Sequence, residues 1–153
     1  THSSITTPKK YYSKDANGNT TMLSQNQVRP LVRQAGHAAN LSFMYKSTNH
    51  GWDAQLASSF LGEKIDWASE FYNADTWQTP SFQLDASAEK KLKGGFSLFA
   101  KVNNILQTPK KQFIKTSNPY NTKFPLQDAN SSQTIISDNH YGTTFLVGIR
   151  LKR

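Results

Sequence analysis

The side chains able to do chemistry in this sequence are few, and their spacing argues against an active site. His2, His37, His50 and His140 stand too far apart for paired metal ligation of the i, i+4 kind found on a zinc-binding helix. There is no cysteine, which excludes thiolate nucleophiles, thiolate metal sites and disulfides. Ser58 and Ser59 lack the glycine-flanked setting of a nucleophile elbow, and the carboxylates Asp66 and Glu70 fall in a segment that reads as a loop. The expectation is therefore no catalytic residue, no metal site, no cofactor and no enzyme.

Two groups remain as candidates for binding. Trp67, Phe71, Tyr72 and Trp77 are interspersed with Asp66, Glu70 and Asp75, a mixture able to stack on a sugar or an aromatic ligand. Trp67, Tyr72 and Trp77 are the candidate contacts. The competing and preferred reading is that some of these rings, and Trp52 more so, belong to an aromatic belt at the headgroup level of a membrane. The second group is Asp53, Gln55, Asp85, Glu89, Lys101 and Arg150. They read as a solute path or docking surface or, more simply, as an ordinary polar sheet face with cross-strand salt bridges.

What must position these residues is β-structure. From Asn40 onward apolar side chains recur at every second position, as they do when successive Cβ atoms point to opposite faces of a strand. Leu41, Phe43 and Tyr45 oppose Ser42, Met44 and Lys46; Phe145, Val147, Ile149 and Leu151 oppose Leu146, Gly148, Arg150 and Lys152. Five strands are expected at 36–46, 52–61, 81–90, 95–105 and 141–152. A further strand within 5–12 is expected to lead through Asn17, Gly18 and Asn19 into a loop, so that 1–35 is a strand plus an outside loop.

The connections alternate in length. Residues 47–51 and 91–95 are short, glycine-bearing turns, whereas 61–80 and 107–140 are long, the latter with Pro109, Pro119 and Pro125. Structureless loops beyond about 12–15 residues are uncommon in compact soluble domains. Short turns on one side and long loops on the other, joined by strands of about 9–11 residues, are the habit of an outer-membrane barrel.

Composition is compatible with that pattern. The chain has 153 residues, with 18 Lys and Arg against 10 Asp and Glu, for a net charge of +8. Its apolar share, counted with Gly and without Tyr, is about 37%, against a usual 45–50%. No apolar run reaches the roughly 18 residues of a transmembrane helix, which leaves a membrane β-strand open. The lysines lie in separate segments, and neither a nucleic-acid motif nor one basic face emerges, so no nucleic-acid partner is expected. Lysines within 107–123 suit lipopolysaccharide phosphates or other anions, or are simply solvated. The chain opens at Thr1 with no basic and apolar leader. It is expected to be an internal or C-terminal piece, or to have lost a leader.

The run Arg29-Pro-Leu-Val-Arg-Gln-Ala-Gly36, followed by Asn40-Leu-Ser-Phe-Met-Tyr45, resembles the approach to a late barrel strand of TonB-dependent outer-membrane receptors. Residues 82–92 and 96–106 are similar to that family's next pair of strands, the second ending in an Asn-Asn-Ile step, and 141–151 is similar to its closing strand. The resemblance covers about 28–153 and lies in the order and spacing of segments. It implies an antiparallel, 22-stranded transmembrane β-barrel of the bacterial outer membrane, here its last five or six strands, in a nutrient importer of siderophores, vitamins, glycans or peptides. It also implies as partners the rest of the barrel, a plug and through it the TonB complex, outer-membrane lipid and lipopolysaccharide, and a surface lipoprotein lid. The chain departs from the family in lacking plug and energy-coupling box and in ending on Arg153 rather than an aromatic. Its Asn and Lys content leans towards receptors of Bacteroidetes type. The alternative is a secreted soluble β-sandwich that binds carbohydrate through loop aromatics.

Overall fold

A computed structural model describes residues 3–116 and 132–151. His2, Pro119, Lys123, Pro125 and Lys152, all used in the readings above, lie outside the described residues. The described chain is all-β and antiparallel, with β1 (Ser4–Lys14), β2 (Thr20–Pro30), β3 (Ala38–Ser47), β4 (Trp52–Leu61), β5 (Lys64–Trp67), β6 (Thr76–Gln78), β7 (Ser81–Lys91), β8 (Phe96–Asn103), β9 (Lys110–Ile114), β10 (Thr134–Asn139) and β11 (Thr144–Leu151). A 3-10 turn, Lys93–Gly95, separates β7 from β8. No α-helix forms among the described residues.

The chain divides into two units. One, drawn from 38–61, 81–109 and 140–153, is a five-stranded meander in the order β11-β8-β7-β4-β3. All five strands expected from period two are present, their ends moved by a few residues. The alternation explains both the register and the two faces. Phe43, Leu56, Ala86, Val102 and Phe145 form one continuous cross-strand row on the apolar face. The next row, Met44, Gln55, Ser87, Lys101 and Leu146, points the other way. A one-residue slip would exchange these faces, so the pattern pins the register.

Pairing also sorts the connections. Ala38, Leu61 and Ser81 align at one end of the sheet, and Asn103 and Thr144 align at that same end. The short turns leave from the other, where Ser47, Trp52 and Lys90 align. The sheet does not close: among the described residues β3 and β11 each have one free edge, so the expected barrel is not formed by these strands alone.

The other unit takes 1–37, 62–80 and 110–139. Here the structure differs from the loop reading. The 5–12 segment is the middle of β1, which pairs along its length with β2 in a hairpin. The long connections hold a four-stranded sheet, β10-β9-β6-β5. Its strands are three to six residues long, too short for periodicity to stand out. The two most buried apolar side chains, Ile65 and Phe113, meet here through Trp77, which pairs with both.

The hairpin exists because 15–19 is a turn rather than a loop. The Asp15 carbonyl accepts from Gly18 N–H at 3.0 Å, and Gly18 takes φ +84°, the left-handed conformation that suits glycine. Asp15 Oδ1 accepts from the amides of Asn17 (2.9 Å) and Asn19 (2.8 Å), while Oδ2 accepts from Asn19 Nδ2 (3.0 Å). These donors, the Asn19 side chain first, favour the carboxylate and hold its pKa below the ordinary 3.8. A lowered folded pKa stabilises the turn fully above 3.8 and loses that support as pH falls through the folded value. Amide exchange at Asn17 and Asn19 is expected to quicken on acidification below that range. The Asp15→Asn variant is expected to show no such transition.

Candidate functional site

The surroundings of the candidate aromatic residues are organised by a buried ion pair. Lys9 Nζ donates to Asp75 Oδ1 at 2.8 Å with both side chains 3% exposed, and it also donates to the Ser69 carbonyl. The same Oδ1 accepts from Ser69 N–H at 2.8 Å, and Arg29 Nε stands 3.9 Å from Oδ2. Burying two charges is costly unless they meet in good geometry with further hydrogen bonds; Oδ1 has both, whereas Oδ2 and Arg29 Nε are buried without a hydrogen bond. Around it, residues 69–75 run beside β1 like a short parallel strand. Lys10 N–H donates to the Glu70 carbonyl and Tyr72 N–H to the Lys10 carbonyl, each at 2.8 Å.

Side chains reinforce the contact. Gln27 and Asn73 exchange two hydrogen bonds of 3.1 Å, Asn73 having the left-handed φ of 55° that asparagine tolerates. Tyr12 stacks on Phe71 with centroids 6.0 Å apart. Lys10 Nζ pairs with Glu70 Oε2 at 2.8 Å in the open, and that hydrogen bond and charge raise the lysine pKa. Pro8, Lys10, Met22, Leu23, Ser24 and Glu70 surround a shallow depression of about 440 Å³.

The three expected ligand contacts have different surroundings. Trp67 ends β5 and is 69% exposed, available to a ligand. Tyr72 is half-buried, and its backbone amide belongs to the bridge with β1. Trp77 sits in β6 between Ile65 and Phe113, and Lys115 Nζ lies 3.5 Å from its ring centroid while pairing with Glu63. It is a packing residue as well as a partly open ring. Asp66, read as a loop residue, lies in β5 and accepts from Gln112 Nε2 at 2.6 Å.

In the five-stranded sheet Asp53, Gln55, Asp85, Glu89, Lys101 and Arg150 share the polar face, as their alternation requires. Arg150 Nη1 reaches Glu89 Oε2 at 3.0 Å from two strands away, and its guanidinium carbon lies 5.4 Å from the Phe99 ring centroid. Phe99 in turn lies over Gly148, where an added Cβ would stand 2.5 Å from Phe99 Cζ. Asp85 accepts from Asn104 N–H at 2.8 Å and from Gln83 Nε2, so it fastens the end of β8. Gln55 Nε2 donates to Ser42 Oγ at 3.0 Å. Asn40, Ser42, Gln55, Ser59 and Asp85 border a shallow depression of about 230 Å³. This is a hydrophilic surface of small side chains, amides and carboxylates, suited to hydrogen-bonding a polar solute.

Among the described residues no group of three or more His, Asp or Glu side chains could hold a metal ion. Ser47 Oγ meets His50 Nδ1 at 3.1 Å and also accepts from His50 N–H, which orders the exposed turn between β3 and β4. Sequence reasoning missed the Lys9–Asp75 pair entirely. Sixty-six positions separate the partners, and neither neighbourhood marks a buried charge. No family model matches the chain, nor does any curated protein or solved structure.

Two outcomes follow from this geometry. Asp75→Leu strands the Lys9 ammonium in a buried site and is expected to cost about 3–5 kcal/mol locally. The Lys9→Met/Asp75→Leu double variant recovers most of it, read as amide-exchange protection at Ser69 and Tyr72. Gly148→Val drives the Phe99 ring off the sheet and is expected to cost about 1–3 kcal/mol, with loss of the near-ultraviolet dichroism of Phe99 in detergent.

Proposed function

We propose that this chain is the barrel-closing part of a TonB-dependent receptor in a bacterial outer membrane, where it serves nutrient uptake. In this reading the apolar face of the five-stranded sheet meets lipid and the polar face lines the lumen. The observation that carries it is the exposure of the apolar face. Its outer strands are the most open, with Phe43 at 63%, Phe145 at 75%, Val147 at 69% and Ile149 at 72%, while Leu84, Ala86, Ala88 and Val102 on the inner strands are half-buried. A water-soluble protein covers such a contiguous surface. The rival sandwich requires this same face to be buried against a second sheet, and the exposures speak against it.

Two further features support the proposal. The strands of the sheet are 8 to 11 residues long, close to the span of a tilted membrane strand. The free edges of β3 and β11 offer backbone donors and acceptors that hydrocarbon cannot satisfy, so they call for neighbouring strands, namely the remainder of a barrel. With the short turns on the periplasmic side, the long connections leave from the extracellular end of the sheet, and among their described rings Trp67 is the most exposed and the best able to meet a siderophore, vitamin, glycan or peptide. The chain itself makes and breaks no bond. Energy would enter through the TonB complex acting on a plug, and lipopolysaccharide and a surface lipoprotein lid are the remaining partners.

The test is phase partitioning in detergent, with charge placed on each face. The chain is expected in the detergent phase, and Val147→Arg to weaken bilayer insertion by about 2–4 kcal/mol, while Ser87→Arg on the polar face has little effect. Recovery from water as a monomer with a sharp thermal transition would overturn the proposal.

A further inference from the structure

We infer that the short-turn end of the five-stranded sheet binds the headgroup phosphate of an anionic glycerophospholipid, with Lys90 and Lys93 as its cations and Trp52 and Phe96 as its apolar seat. The inference rests on the membrane reading above and deepens it by naming the lipid class and the residues that select it.

Lys90 is the anomaly from which the argument starts. Register puts it in the row Ser47, Trp52, Lys90, Leu98 and Ile149, on the apolar face, where it is the one charged side chain among the described residues. A lysine on a lipid-facing surface is tolerated when its stem lies along the apolar surface and its ammonium reaches the headgroup level. That is the geometry here: Nζ lies 4.8 Å from the Trp52 ring centroid and donates to the His50 carbonyl at 2.6 Å, at the outermost turn.

Neither contact neutralises the charge. An ammonium has three donors, and the carbonyl uses one. The carboxylates at this end, Asp53 and Glu89, are on the opposite face, where Glu89 is engaged by Arg150. Lys93, in the adjoining 3-10 turn, is exposed and has no ion-pair partner among the described residues. The two turns are joined, since Lys91 N–H donates to the Gly51 carbonyl at 2.8 Å, which brings the His50 and Lys93 turns to the same end. Gly94 takes φ +75°, a turn conformation that suits glycine, and the Phe96 ring lies beside it.

Uncompensated positive charge therefore borders two exposed rings at the rim of an apolar surface. A free anion would use the lysines and leave the rings idle, and an uncharged lipid would do the reverse. A lipid with a net negative headgroup uses both. Cations beside an anionic membrane surface each add roughly fivefold to binding, and salt screens that gain.

The experiment measures flotation of the full chain with vesicles of phosphatidylcholine, alone and mixed with phosphatidylglycerol. The expected result is tighter partitioning into the mixed vesicles, an advantage that salt removes. Lys90→Gln and Lys93→Gln each reduce that advantage roughly fivefold and leave binding to pure phosphatidylcholine unchanged. Lys14→Gln, a control on β1, keeps the full advantage. Equal partitioning into both vesicles, or an equal loss with Lys14→Gln, overturns the inference and leaves the membrane reading standing. A chain that floats with neither vesicle overturns both.

Discussion

A single antiparallel sheet with one apolar face has no place in water to put that face. Most of the molecule's architecture follows from this. Five strands alternate, so most of their apolar side chains collect on one surface and most of their polar ones on the other, with Met44, Phe99 and Leu146 on the polar side and Lys90 on the apolar side as exceptions. Among the described residues Ile65 and Phe113 are the buried large apolar side chains, and both belong to the other unit. The sheet is therefore held by backbone pairing and by cross-strand contacts such as Phe99 over Gly148, not by an interior. In the proposed barrel, lipid covers the apolar face and neighbouring strands pair both edges, where unpaired backbone groups would be costly in hydrocarbon.

The second unit solves a different problem. Long polar connections carry too few apolar residues to build a large core, yet their described parts are tied together through specific polar pairing. Lys9 and Asp75 form the centre of that order, with Ser69, Arg29 and the Gln27–Asn73 exchange around them. Trp77, Ile65 and Phe113 add a small apolar row across three strands. Trp67 stands exposed at the end of β5, and in the proposed receptor such a ring on a paired strand would not have to reorder on binding.

The five strands of the meander were legible because each repeats its period over eight or more residues, and in Leu41 to Tyr45 or Phe145 to Leu151 the alternation assigns every side chain to a face. The polar residues Asp53, Gln55, Asp85, Glu89, Lys101 and Arg150 were legible as one face for the same reason. The hairpin of the first thirty residues was only half legible. Its Asn17-Gly18 step is a turn signal, but Tyr11 beside Tyr12 and the mixed sequence of β2 blur the alternation. Strands such as Lys64–Trp67 and Thr76–Gln78 escaped because three or four residues contain no measurable period.

By itself the sequence determined an all-β chain, the strands of its main sheet and the chemistry of each face. These are local matters, since side-chain alternation and turn residues act over a few positions. Tertiary structure alone decided that β5, β6, β9 and β10 within the long connections pair into a sheet, that Lys9 finds Asp75, that Trp77 is packed while Trp67 is open, and that Lys90 reaches back over Trp52. Each of these depends on which distant segments meet. That choice is made by the summed geometry and desolvation of many contacts, and no single residue type announces it.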